Sequence, residues 1–227
     1  MTLGGGVAGS FGACAYSSFL LEKLLGSPLK PAHAYVSELG ARGQPASAFF
    51  RVSDVLAGVA LLFFAWVLWR WLPRDWRGRS GCCAVAVMGA ASVVGGAKPL
   101  GCTPSTDMVC RLRDRTDVLA QLHQVHVLAS ISGFLGTVIG MLLLGGLLRA
   151  VPGWRWLGVL GIADAVVVTG LAGLELALMM LPGLWVGLPE RVETLLESAW
   201  YGALALRVAA TAWDRPGDGN QTASRRP

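Results

Sequence analysis

The stretch Val52–Leu72 reads VSDVLAGVALLFFAWVLWRWL: one aspartate near its start, an unbroken apolar run, then Trp66, Trp69, Arg70 and Trp71 at its close. Crossing the hydrocarbon layer takes about 20 mostly apolar residues. Tryptophan and arginine gather at the membrane–water boundary, so this segment predicts a transmembrane helix. Working outward, five further blocks follow the same pattern. Leu3–Leu25 is diluted by glycine and serine, and Gly81–Ala97 is short and rich in small residues. Leu119–Leu148 crowds its polar residues at the start, and Trp154–Leu181 and Val192–Trp213 complete the set. The expected fold is all-α, an integral membrane six-helix bundle over residues 1–213. A disordered tail is expected over 214–227, where Gly, Asn, Gln, Ser and Arg dominate.

Composition agrees with that reading. The chain has 227 residues, 54% of them hydrophobic and 15% charged, against about 45–50% and 25% in an average soluble domain. This excludes a disordered chain, a disulfide-stapled secreted domain and an ordinary cytosolic enzyme. The formal charge of +5 does not point to nucleic acid, because the basic residues sit between apolar blocks and read as orientation signals. Arg70, Arg74, Arg77 and Arg79 fill one short loop, Arg149 and Arg155 flank a turn, and Arg215, Arg225 and Arg226 mark the tail. These regions fall on one side, expected to be cytoplasmic together with both termini of a multi-pass cell-membrane protein. The stretch before Gly12 lacks the positive start of a secretory signal, and none is expected.

Glycine is abundant, with 30 residues, and inside a bilayer it lets helix backbones approach closely. Gly133, Gly136 and Gly140 share one face of the fourth block, and Gly170 and Gly173 one face of the fifth; both are expected to pack within the chain. Cys102 and Cys110 lie eight residues apart on the expected outer side, where an oxidising exterior permits a disulfide.

Ionisable groups inside spans are costly and mark cavities or pairs. Asp54 lies in the first turn of the second span, His123 and His126 at the outer start of the fourth, and Glu193 and Glu197 in the first turns of the sixth. Glu175 falls about 9 Å below the outer end of the fifth, at 1.5 Å per residue. The outer loop adds His33, Ser37 and Glu38. Four spans and one loop are thus expected to converge on a pocket opening outward. Asp54 and Glu193 also fit plain helix-start roles, whereas no helix end lies near Glu175. Asp164 sits three turns before Glu175, toward the inner half.

Such a pocket suits three kinds of work. His123 and His126, three residues apart, share a helix face and with carboxylates suit zinc, whose bound water attacks esters and amides. Without metal, a histidine and a buried carboxylate serve as general base and acid, so Asp54, Glu175, His126 and Glu197 are the candidate catalytic residues. The reading ranks first a membrane-embedded hydrolase or transferase acting on a membrane lipid or other small amphipathic substrate. A non-catalytic scaffold or sensor ranks second and a proton-coupled transporter third. No His-Glu-x-x-His, Gly-x-Ser-x-Gly, phosphate-loop or dinucleotide pattern occurs.

Several landmarks carry a resemblance. Tyr35-Val36-Ser37-Glu38-Leu39, Gly43-Gln44-Pro45 and Phe50-Arg51-Val52-Ser53-Asp54 with Gly58 come first. The loop Cys102-Thr103-Pro104-Ser105-Thr106-Asp107 closing at Cys110 follows, then His123 and His126 ahead of Ala129-Ser130, and Glu190-Arg191 before the last span. Together they resemble the domain-of-unknown-function family numbered 998. That resemblance implies a multi-span membrane protein of prokaryotic type and no established activity. It suggests that the Ser-Glu, Asp and His landmarks form a site common to the family; His33 is not part of the pattern.

Overall fold

The computed structural model describes residues 2–116, 124–179 and 185–213. Among them are seven α-helices and no strand: α1 (Thr2–Tyr16), α2 (Ser47–Trp71), α3 (Trp76–Ala97), α4 (Met108–Thr116), α5 (Val125–Leu148), α6 (Arg155–Met179) and α7 (Gly187–Trp213). Short 3-10 turns form at Ser18–Leu21 and Val36–Gly40.

Four helices, α2, α3, α5 and α6, are long and apolar enough to cross a membrane. Their 22 to 25 residues extend about 33–38 Å, enough for a hydrocarbon layer of about 30 Å. The first and sixth expected spans are helical but do not join those four. α1 stops at Tyr16 instead of running to Leu25, because the Ser17 hydroxyl donates to the Ala13 carbonyl at 3.1 Å and the chain tightens into a 3-10 turn. Its 15 residues reach only about 22 Å. α7 has 27 residues but opens on Glu190, Arg191, Glu193 and Glu197. The third span begins earlier than expected, at Trp76. The starts of the expected fourth span and the end of the fifth, like the tail over 214–227, lie outside the described residues.

Six of the helices close into a ring in the order α1, α2, α3, α5, α6, α7 and back to α1. Each interface has a glycine with the neighbouring helix against it. A Cβ on Gly12 of α1 would sit 3.3 Å from the Ala57 carbonyl of α2, and one on Gly96 of α3 2.6 Å from the Arg51 carbonyl. Gly136 of α5 stands in the same way 2.7 Å from the Ala84 carbonyl of α3, and Gly145 2.8 Å from the Gly158 carbonyl of α6. Gly161 faces the Trp200 ring of α7, and Gly6 the Ala205 carbonyl, which closes the circle. The expected packing of Gly133, Gly136 and Gly140 is therefore present. That of Gly170 and Gly173 is not: nothing lies within 4 Å of either added Cβ, and α6 uses Gly158 and Gly161, about three turns earlier.

Inside the ring, Phe64, Leu68, Val85, Met141, Leu144, Leu157 and Tyr201 form a dry core. Outside it, Val59, Phe63, Trp66, Leu142, Val159 and Val166 are exposed, the arrangement that suits a lipid surround. At one end, Arg79 lies 3.9 Å over the Trp69 ring and Arg207 5.4 Å from Trp154, which meets Trp71 at 5.2 Å. At the other end the loops fold over the ring. Arg191 holds them: its Nη2 pairs with Glu22 at 2.7 Å, and its Nη1 donates to the carbonyls of Pro31 and Ala34 at 2.7 Å each.

Candidate functional site

A cavity of about 440 Å³ opens inside the ring at the loop-covered end. All six ring helices and the 3-10 turn Val36–Gly40 contribute to its wall. α2 supplies Asp54, α5 supplies His126, α6 supplies Glu175, and α7 supplies Glu190, Glu193 and Glu197. These helices alternate in direction, so the starts of α2, α5 and α7 meet the ends of α1, α3 and α6 at one level. Groups far apart in the chain thereby share one space.

Ser37 lines the cavity, but Glu38 does not. The Glu38 carboxylate is fully buried and committed to holding loops. Its Oε1 accepts the Tyr35 N–H at 3.0 Å, and its Oε2 accepts both the Ser105 N–H at 3.0 Å and the Ser105 hydroxyl at 2.5 Å. The Ser105 loop is closed by a disulfide between Cys102 and Cys110. Arg111 ties it further, donating to the carbonyls of Pro104 and Ser105 at 2.9 and 2.7 Å. His33 is outside the cavity wall and lies against Trp185, with ring centroids 4.6 Å apart and the planes tilted by 50°. Asp164 is also outside it, about 16 Å from Glu175 along α6 at 1.5 Å per residue. His123 lies outside the described residues.

His126 is held by a specific contact. Its Nδ1 lies 3.0 Å from the Lys98 carbonyl and 3.2 Å from the Gly95 carbonyl. Both partners are acceptors, so Nδ1 carries a proton and Nε2 is the nitrogen left for the cavity. That Nε2, the Oε1 of Glu175 and the Oε1 of Glu193 are all buried without a hydrogen-bond partner. Buried polar atoms are nearly always paired, and each unpaired one costs about 1–3 kcal/mol. Three around one cavity therefore point to a ligand or water that completes them.

The wall also contains residues that the sequence reading passed over. Tyr16 ends α1 inside the cavity, and Ser92 of α3 donates to the Asp54 carbonyl at 2.8 Å. Glu190, already a landmark of the resemblance, also lies in the wall and accepts the Val36 N–H at 2.5 Å, linking α7 to the 3-10 turn. A tyrosine and a serine inside apolar runs carry little signal of their own, which is why they went unmarked. Among the described residues no lysine or arginine lines the cavity. Among the described residues no group of three or more His, Cys, Asp or Glu side chains is placed to hold a metal ion. His123, half of the expected zinc-binding pair, lies outside the described residues, and no chemistry is routed through zinc below.

A helical ring with four segments long and apolar enough to cross a membrane, and a cavity at one end with carboxylates and an imidazole in its wall, has the make-up of a multi-span membrane protein. The chain belongs to the family described as "Protein of unknown function (DUF998)", which it matches over residues 10–207. That match spans every cavity residue named above. No curated protein and no solved structure matches the chain.

Proposed function

We propose that this chain is a six-span protein of the cell membrane whose outward-facing cavity receives the polar end of a lipid-like substrate. It acts on that substrate by acid–base chemistry, as a hydrolase or transferase. In this reading α1 and α7 complete the span set, because both are packed into the ring beside the four apolar helices. The arginine end is cytoplasmic by the density of positive charge in its short loops. The disulfide-closed loop lies at the opposite end, which suits an oxidising exterior.

The observation that carries the reading is a mostly apolar cavity with one imidazole and several carboxylates set in its wall. Ile131 and Leu135 of α5 and Leu176 of α6 line it, and the same three residues are 43%, 51% and 65% exposed on the outside of the ring. The wall between α5 and α6 is thus apolar on both sides, a passage for an alkyl chain whose head reaches the carboxylates. In a hydrolysis, His126 Nε2 takes the proton of a water as its oxygen bonds to the ester or amide carbonyl carbon. Glu175 gives a proton to the departing oxygen or nitrogen as its bond to that carbon breaks.

The test is release of fatty acid from vesicles that hold the protein and a fluorogenic acyl ester or acyl amide lipid. Turnover is expected to fall at least about 100-fold in His126→Gln. Equal turnover in that variant overturns the catalytic role, and ligand binding without product turns the reading to a sensor. The zinc reading is tested separately, by the metal content of the purified protein beside a His123→Ala/His126→Ala variant.

A further inference from the structure

Resting on that reading of the cavity, we infer that the substrate's polar end is positively charged, an ammonium group on an alkyl chain. Asp54, Glu175, Glu190, Glu193 and Glu197 share the cavity wall with one imidazole and, among the described residues, with no lysine or arginine. The guanidinium next to Glu190 in the chain points its Nη atoms elsewhere: both Nη atoms of Arg191 are bound to Glu22 and to loop carbonyls. An acidic cluster alone would prove little, but Glu193 lines the cavity while only 7% exposed, and its Oε1 is buried with no hydrogen-bond partner. A buried carboxylate left so is expensive, and a cation is the group that offsets it best.

The kind of cation follows from two further features. The described carboxylates do not gather into a metal-holding group, so their charge is spread around the wall and does not converge on a point. The same wall carries the aromatic rings of Tyr16, Phe19, Tyr35, Phe50 and Phe134. Aromatic faces interleaved with carboxylates favour an organic ammonium, through cation–π attraction as well as ion pairing.

The experiment is isothermal titration of the full-length protein in neutral-detergent micelles with dodecylamine, ethylamine and dodecanol. Dodecylamine is expected to bind saturably and at least about tenfold more tightly than dodecanol. Glu193→Gln and Glu197→Gln should each remove that advantage and leave dodecanol binding unchanged. Gly95→Leu fills the cavity beside His126, where an added Cβ meets only His126 Cε1 at 3.9 Å, and should abolish binding of both. Ethylamine binding as tightly as dodecylamine would support the cation and assign it to a free amine instead of a membrane amphiphile. Dodecanol binding as tightly as dodecylamine, and lost in Gly95→Leu, overturns the cationic head while the cavity reading stands. Dodecylamine binding that survives both glutamine variants also overturns it. No saturable binding by any probe overturns both.

Discussion

Glu38 and Arg191 show what single side chains do at the loop-covered end. The Glu38 carboxylate accepts three hydrogen bonds, two of them from a loop 67 residues away. Glu38→Ala would leave the N–H groups of Tyr35 and Ser105 buried and unpaired. A loss of about 3 kcal/mol is expected, read from the unfolding midpoint in detergent; Ser105→Ala, which removes one hydroxyl, should cost about 1 kcal/mol. Arg191→Ala strands Glu22 without its cation and should cost about 3–5 kcal/mol, while the double variant Glu22→Met/Arg191→Met regains most of it. A double variant as damaged as the single one would show that the carbonyl contacts outweigh the ion pair. Asp54, Glu175, Glu193 and Glu197 stand out in the sequence because a carboxylate inside an apolar run is costly enough to attract notice. The loop role of Glu38 does not, since its partner is set by the fold, and the pairing of Glu22 with Arg191 spans 169 residues. Residue type is local information; partnership is not.

Helices are where the sequence speaks most plainly, through the length and purity of an apolar run. Four blocks read that way form α2, α3, α5 and α6, each long and apolar enough to cross a membrane. The ends of α1 and α7 were less visible, because a serine hydroxyl and a few carboxylates decide them and hydropathy averages over both. Glycine illustrates the same limit. A glycine pair at helical spacing says that a face is small, without saying whether anything is pressed against it. Gly58 of α2 has the Gly89 carbonyl and Val93 of α3 against it, whereas Gly173 of α6 has nothing within 4 Å. Gly58→Ala is therefore expected to push α2 from α3 and cost about 1–3 kcal/mol. Gly173→Ala should leave stability unchanged or raise it by up to about 1 kcal/mol. Equal effects in thermal unfolding would mean that α2 and α3 separate without cost.

At the scale of the whole molecule, charge and polarity divide between the two ends of the ring. Arginines stacked on tryptophan hold one end; carboxylates around a cavity hold the other. A reporter active only in the cytoplasm, fused after Trp213, is expected to be active, and a cysteine in place of Ser105 should be reached by membrane-impermeant thiol reagents. The reverse pattern would invert the protein in its membrane. The closing contact of the ring, α7 against α1, also bears on how the protein is made. α7 is the last of the described helices to leave the ribosome and brings Glu190, Arg191, Glu193 and Glu197 with it. Alone, such a helix is a poor substrate for insertion into lipid. Beside α1 and α6 it finds the gap that only it can fill and the Glu22 side chain that its arginine needs. Integration of α7 is expected to require the helices before it, so that a fusion carrying α7 alone fails to enter microsomes while the same helix after α1–α6 succeeds. Synthesis order would then keep the acidic wall out of the bilayer until the rest of the ring is there to receive it.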